Sequence, residues 1–115
     1  MKKYNVKPIR IDEYIIDIDE NIWDDQALKE WGSVFFEVDL QGLVEHLSRL
    51  IMMYGYEKFL EGFGYVYTQM PDGYKYTQFE RDADGSFKEV TDFCGGIKVT
   101  IVSSEEDFEY ETEEI

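Results

Sequence analysis

Residues 39–70 read DLQGLVEHLSRLIMMYGYEKFLEGFGYVYTQM, and two different periods meet in that stretch. Leu40, Leu43, Val44, Leu47, Leu50, Ile51 and Tyr54 recur at spacings of three and four, the apolar stripe of an amphipathic helix. Asp39 stands where an N-cap carboxylate accepts from the first free backbone N–H groups. Gly55 ends or kinks the helix, with 56–61 able to add a turn, and Gly62 and Gly64 stop it. Past Gly64 the period falls to two, as Tyr65 and Tyr67 alternate with Val66 and Thr68. A helix over 40–54 followed by a sheet is the expectation that decides the fold.

Working outward, the sequence after this switch reads as all-β. Pro71-Asp72-Gly73, Asp82-Ala83-Asp84-Gly85 and Cys94-Gly95-Gly96 are turn sequences about ten residues apart. Ile97, Val99 and Ile101 face opposite Lys98, Thr100 and Val102. The spacing predicts a four-stranded antiparallel meander over 63–102. Towards the N-terminus, Ile9–Ile18 reads as one extended segment in which Tyr14, Ile16 and Ile18 alternate with Ile15 and Asp17. Asn21 followed by Asp24 is similar to a capping box, predicting a helix over about 22–31 with Gly32 as its C-terminal cap. Val34–Val38, β-branched and aromatic, reads as a buried strand. The chain is thus expected to be one α+β domain over 1–104, with two N-terminal strands and two helices packed on the C-terminal meander. Residues 105–115 are either an acidic tail or a short edge strand with Phe108 and Tyr110 turned to the core.

The chain of 115 residues suits a single domain, and its 19 aromatic residues oppose the disorder that a net charge of −15 would otherwise favour. No uncharged run approaches the roughly 20 residues that cross a bilayer, and no secretory signal is visible. Cys94 is the one cysteine, which fits a reducing cytoplasm. The charge is uneven. Glu105, Glu106, Asp107, Glu109, Glu111, Glu113 and Glu114 crowd the end of the chain, leaving 19 of the 26 acidic residues against all 11 basic ones elsewhere, a net of −8. Phosphate backbones need clustered Lys and Arg, and Lys2, Lys3 and Lys7 are the only such group. Direct nucleic-acid and anionic-membrane binding are therefore not expected, whereas a basic protein surface is the partner such a field steers. Solubility alone is the competing account of the same composition.

Candidate chemistry is sparse. Glu80, Asp82 and Asp84 precede Gly85 with the rhythm of a calcium loop, but Thr91 stands where the bidentate Glu is required, so a turn is the stronger reading and no metal is expected. Asp17-x-Asp19-x-Asn21 fits less well still. His46, the single histidine, borders the helical stripe, where a structural role outweighs a catalytic one. Pairing of His46 with Cys94 as base and nucleophile has no local support, one His and one Cys are too few for an ordinary zinc site, and Gly62-Phe63-Gly64 is too short for a phosphate loop. No cofactor is expected. Tyr65, Tyr67, Tyr74 and Tyr76 read mainly as cross-strand packing, with one or two left exposed as anchors.

In size and charge alone, with no shared motif, the chain is similar to small acidic inhibitor proteins, including phage anti-defence proteins that imitate DNA and bacterial immunity proteins that block basic nucleases. The expected function is a non-catalytic binding protein that occupies a basic, nucleic-acid-type site on another protein. Its expected contacts are Glu105, Glu106, Asp107, Glu109, Glu111, Glu113, Tyr74 and Tyr76. The alternatives are a small enzyme or ligand-binding domain with a pocket near His46 and Cys94, and a toxin-immunity protein.

Overall fold

Two segments from opposite ends of the chain run side by side along most of the molecule. The computed structural model describes residues 1–75, 79–81, 83–90, 94–104 and 108–115, without the side chains of Glu80, Arg81 and Cys94. Strand β1 (Tyr4–Arg10) leads into β2 (Glu13–Ile18), and β6 (Ile97–Ser103) leads into β7 (Phe108–Glu114). Both junctions keep the antiparallel sense: β2 pairs with β6 and β1 with β7. The long extent of 63 Å against 32 and 27 Å follows from this doubled ladder.

Helix α1 (Asp25–Val34) starts where Asp24 Oδ1 accepts from Ala27 N at 2.9 Å. Helix α2 (Leu40–Tyr54) starts at Asp39, whose Oδ1 accepts from Gly42 N at 2.7 Å. It ends at Gly55, which takes φ +91° while its N–H reaches Ile51 O. That left-handed value suits a residue without Cβ. Leu43, Leu47 and Ile51 on the predicted stripe are buried. Leu47 and Ile51 share the core with Leu60, Val66, Ile97, Val99 and Ile101, with Tyr14, Ile16 and Ile18 packed at its side. The expected alternation in β2 holds: its even positions are half-buried and its odd ones exposed.

The α+β class stands, with corrections to several elements. Val34–Val38 is not a strand, because α1 continues to Val34 and its cap, Phe35, donates its N–H to Trp31 O. Continuing the helix lets the Trp31 and Phe35 rings meet four residues apart in a tilted contact, with centroids at 4.7 Å. Asp24 rather than Asn21 caps α1, and Gly32 lies inside the helix. The C-terminal strands do not form one meander. Strand β3 (Tyr67–Gln69) joins β6 in parallel, giving the order β2-β6-β3, while β4 (Phe79–Arg81) and β5 (Phe87–Glu89) form a separate antiparallel pair. A tight turn from Leu60 to Gly64, with Gly62 at φ +91°, carries the chain into β3. Residues 76–78, where the first predicted hairpin would be completed, lie outside the described residues, as do 82 and 91–93. The predicted extended segment Ile9–Ile18 is two strands, interrupted at Ile11 and Asp12.

Candidate functional site

The β1–β7 ribbon carries the acidic row, and its geometry follows from the register. Lys7 lies opposite Glu111, Asn5 opposite Glu113 and Ile9 opposite Glu109. Directly paired residues of an antiparallel ladder share a face, so Glu109, Glu111 and Glu113 line one face with Lys7 across from the middle carboxylate. The other face holds Tyr4, Val6, Pro8 and Arg10 from β1 beside Phe108, Tyr110, Thr112 and Glu114 from β7. Phe108 and Tyr110 stack at 6.3 Å. They do not face the core as expected: Phe108 is 45% and Tyr110 66% exposed, because the ladder has left the body by this point. Every residue of β7 is exposed.

The ladder's phase fixes which backbone groups point inward. Ile115 N donates to Lys3 O at 2.7 Å, making Lys3 and Ile115 a hydrogen-bonded pair. Pairs then alternate along the ribbon, so Tyr4, Val6, Pro8 and Arg10 on β1, and Phe108, Tyr110, Thr112 and Glu114 on β7, turn their backbone groups outward. Pro8, which has no N–H, occupies an outward position where none is needed for β1–β7 pairing.

The ribbon is fixed to the body at Asp12. Arg10 Nε and Nη2 donate to the two Asp12 oxygens at 2.9 and 2.7 Å, and the Tyr14 hydroxyl donates to Oδ2 at 2.5 Å. The Asp12 side chain is 2% exposed. Burial first, and the Asp12 carboxylate second, hold the Tyr14 phenol well above its ordinary value. A buried carboxylate with a bidentate Arg and a phenol donor is a structural clasp.

Comparisons with protein-family models, with curated proteins and with solved structures find no match. The reading of the site therefore rests on its own chemistry.

Of the other expected contacts, Glu105, Glu106, Asp107 and Tyr76 lie outside the described residues. Tyr74 is exposed but belongs to the Pro71–Tyr74 turn, where its N–H reaches Asp72 Oδ1 and its carbonyl accepts from Met70 N. Tyr67 is buried, in keeping with a packing role. Sequence reasoning missed Tyr4 and Val6. Their alternation with Asn5 and Lys7 is a strand signal, but Pro8 interrupts it and the pairing with β7 spans the whole chain.

His46 is surrounded by rings, with Phe36 at 4.9 Å, Trp31 at 5.8 Å and Phe63 at 6.4 Å between centroids. Two open clefts, of about 550 and 580 Å³, are lined by Asp25 to Leu40 and by Asp12, Tyr14, Arg49 and their neighbours, and neither includes His46. The Cys94 side chain lies outside the description, so the His46–Cys94 pair does too. At the suspected calcium loop, Asp84 Oδ1 accepts from Ser86 N at 3.0 Å and Ser86 Oγ at 2.6 Å, which hold its carboxyl below the usual range. That carboxylate closes a turn through Gly85 at φ +90°. Among the described residues no cluster of His, Cys, Asp or Glu could hold a metal ion, and no helix is long and apolar enough to cross a membrane.

Proposed function

We propose that the chain is a non-catalytic acidic binding protein whose projecting β1–β7 ribbon occupies a basic site on another protein in the cytoplasm. The observation that supports this reading is the ribbon's exposure with Glu109, Glu111 and Glu113 in phase on one face. Alternate strand residues are about 6.8 Å apart, and a DNA strand presents a phosphate charge every 3.4 Å or so. The row therefore supplies about half that linear density itself, and the body's carboxylates add to the field. A groove built for nucleic acid would be attracted to it, in the manner of anti-defence or toxin-immunity inhibitors, with association falling as salt screens the charges.

The test uses immobilised wild-type protein beside a variant with Glu109, Glu111 and Glu113 all changed to Gln. A basic protein retained from host lysate at low salt should elute with salt, and should associate at least several-fold more slowly with the variant. Equal association of wild type and a folded variant at low salt would remove the row from the recognition surface. Retention indifferent to salt would end the charge-based reading.

A further inference from the structure

The two outer edges of the ribbon differ, and the difference bears on how a partner could engage it. Neither edge is paired with another strand among the described residues. On β1 the outward row includes Pro8, which interrupts the donors midway, and Lys7 is beside it, a combination by which edges are made unreceptive. On β7 the outward groups of Phe108, Tyr110, Thr112 and Glu114 form an unbroken row of N–H donors and carbonyl acceptors. A two-stranded ribbon is marginal by itself in water, and a third strand is the usual remedy.

We infer that the β7 edge accepts an extended segment of the partner as a third strand, with lysine or arginine at every second position. This rests on the binding role proposed above and names the partner's chemistry. A strand added beside β7 sets its side chains next to Glu109, Glu111 and Glu113 on one face and next to Phe108, Tyr110 and Thr112, with Glu114 at the end, on the other. The first face selects cations at positions i, i+2 and i+4. The second selects β-branched or aromatic residues between them, over rings that are already exposed. Backbone bonds would supply affinity and the alternating side chains specificity, as in other strand additions. A second copy of this chain is a poor occupant, because two β7 edges would set one glutamate row against another, and like charges directly opposite are destabilising.

The test measures binding of dye-labelled, end-capped peptides to the full chain at low salt by fluorescence anisotropy. The first peptide alternates lysine and valine over the length of β7. The second has the same composition in two blocks, and the third is the alternating peptide fully N-methylated. The alternating peptide should bind about tenfold or more tighter than either control, through a few backbone hydrogen bonds that the N-methylated peptide lacks and through side-chain pairs that the block peptide mismatches. It should also slow amide exchange at Phe108, Tyr110, Thr112 and Glu114. Thr112→Pro removes one outward donor while leaving the inward ladder intact, and should abolish the preference; should that variant fail to fold, the N-methylated arm still decides. Equal binding of all three peptides would overturn strand addition and leave the charge-based role standing. A preference without protection at those four amides would overturn it as well. Absence of binding by every peptide would refute both.

Discussion

The β2–β6 ladder and the β1–β7 ladder are built from the same two stretches of chain, yet one is covered and the other bare. Tyr14, Ile16 and Ile18 alternate inward because α2 packs over the sheet while β3 pairs beside β6, burying Ile97, Val99 and Ile101. Tyr4, Val6, Phe108 and Tyr110 alternate just as regularly and remain about half exposed or more. Alternation thus reports that a strand has two different faces, without reporting what covers the apolar one. In the body the cover is intramolecular. On the ribbon, Tyr4, Val6, Phe108 and Tyr110 have no such cover among the described residues.

The contrast is tested most strongly by placing the same charge in both regions. Leu47 is fully buried beneath the β6 side chains, so Leu47→Asp puts an unpaired carboxylate into the core. It should cost about 3–5 kcal/mol or prevent folding. Tyr110→Asp, on the exposed face of β7, should stay within about 1 kcal/mol of wild type. Urea titrations of both variants check the pair. A Tyr110→Asp loss close to that of Leu47→Asp would mean that the ribbon's apolar face is covered.

Next in size is Gly62, which ties the turn before β3 to the aromatic cluster. It takes φ +91°, its carbonyl accepts from Trp31 Nε1 at 3.1 Å, and an added Cβ would lie 2.8 Å from that nitrogen and 3.1 Å from the Phe35 ring. Gly62→Ala should cost about 2–4 kcal/mol from left-handed strain and overpacking together. The tryptophan emission should change with it, because Trp31 must move. An unchanged melting temperature would show that the ring cluster repacks freely.

How much of this was legible beforehand follows from the range of the interactions. Asp39, the stripe from Leu40 to Ile51 and Gly55 specify α2 within one segment, and its bounds match the structure. The alternation of β2 and β6 is equally local. Val34–Val38 misled because its β-branched and aromatic residues suit a strand, whereas Trp31, Phe35 and Phe36 gather around His46 and Gly62 only if α1 continues. The parallel β3–β6 pairing has no local signature, since turns predict neighbours and this partner lies beyond the β4–β5 excursion. Glu109, Glu111 and Glu113 could be placed on one face from their period. Phe108 and Tyr110 fall on the reverse side by the same period, but that Tyr4 and Val6 join them there was not legible, because it depends on the pairing with β1.

The clasp between the two regions gives a pH-dependent prediction. Tyr14 is held protonated by burial and Asp12, so its folded value lies above its unfolded one. The stability it contributes is complete below the ordinary tyrosine value near 10 and is lost as pH rises towards the higher folded value. Tyr14→Phe should cost about 1–2 kcal/mol at neutral pH, the loss of a hydrogen bond to a charged acceptor. Its deficit should narrow above pH 10 in urea titrations run in parallel with wild type. A constant deficit would mean that the phenol is not coupled to folding.

The smallest effect on stability, and the sharpest test of the ribbon's two edges, is expected at Pro8. Its missing N–H lies on the outward side of β1, so Pro8→Thr leaves every β1–β7 hydrogen bond in place. Stability should change by less than about 1 kcal/mol, mostly through the greater freedom of the unfolded chain. The edge, however, gains a donor between Val6 and Arg10. The restored β1 edge of one molecule then complements the β7 edge of another, with Lys7 available to the glutamate row. Such a contact is head-to-tail and has no built-in closure, so it extends rather than stopping at a dimer. Sedimentation velocity should show concentration-dependent association of Pro8→Thr beyond that of wild type, weakening as salt rises. Adding Thr112→Pro to the same chain should reverse it, since that substitution blunts the opposite edge. If Pro8→Thr sediments as wild type does at every concentration, the proline is not what keeps β1 closed. The asymmetry between the edges would then have to come from side chains alone.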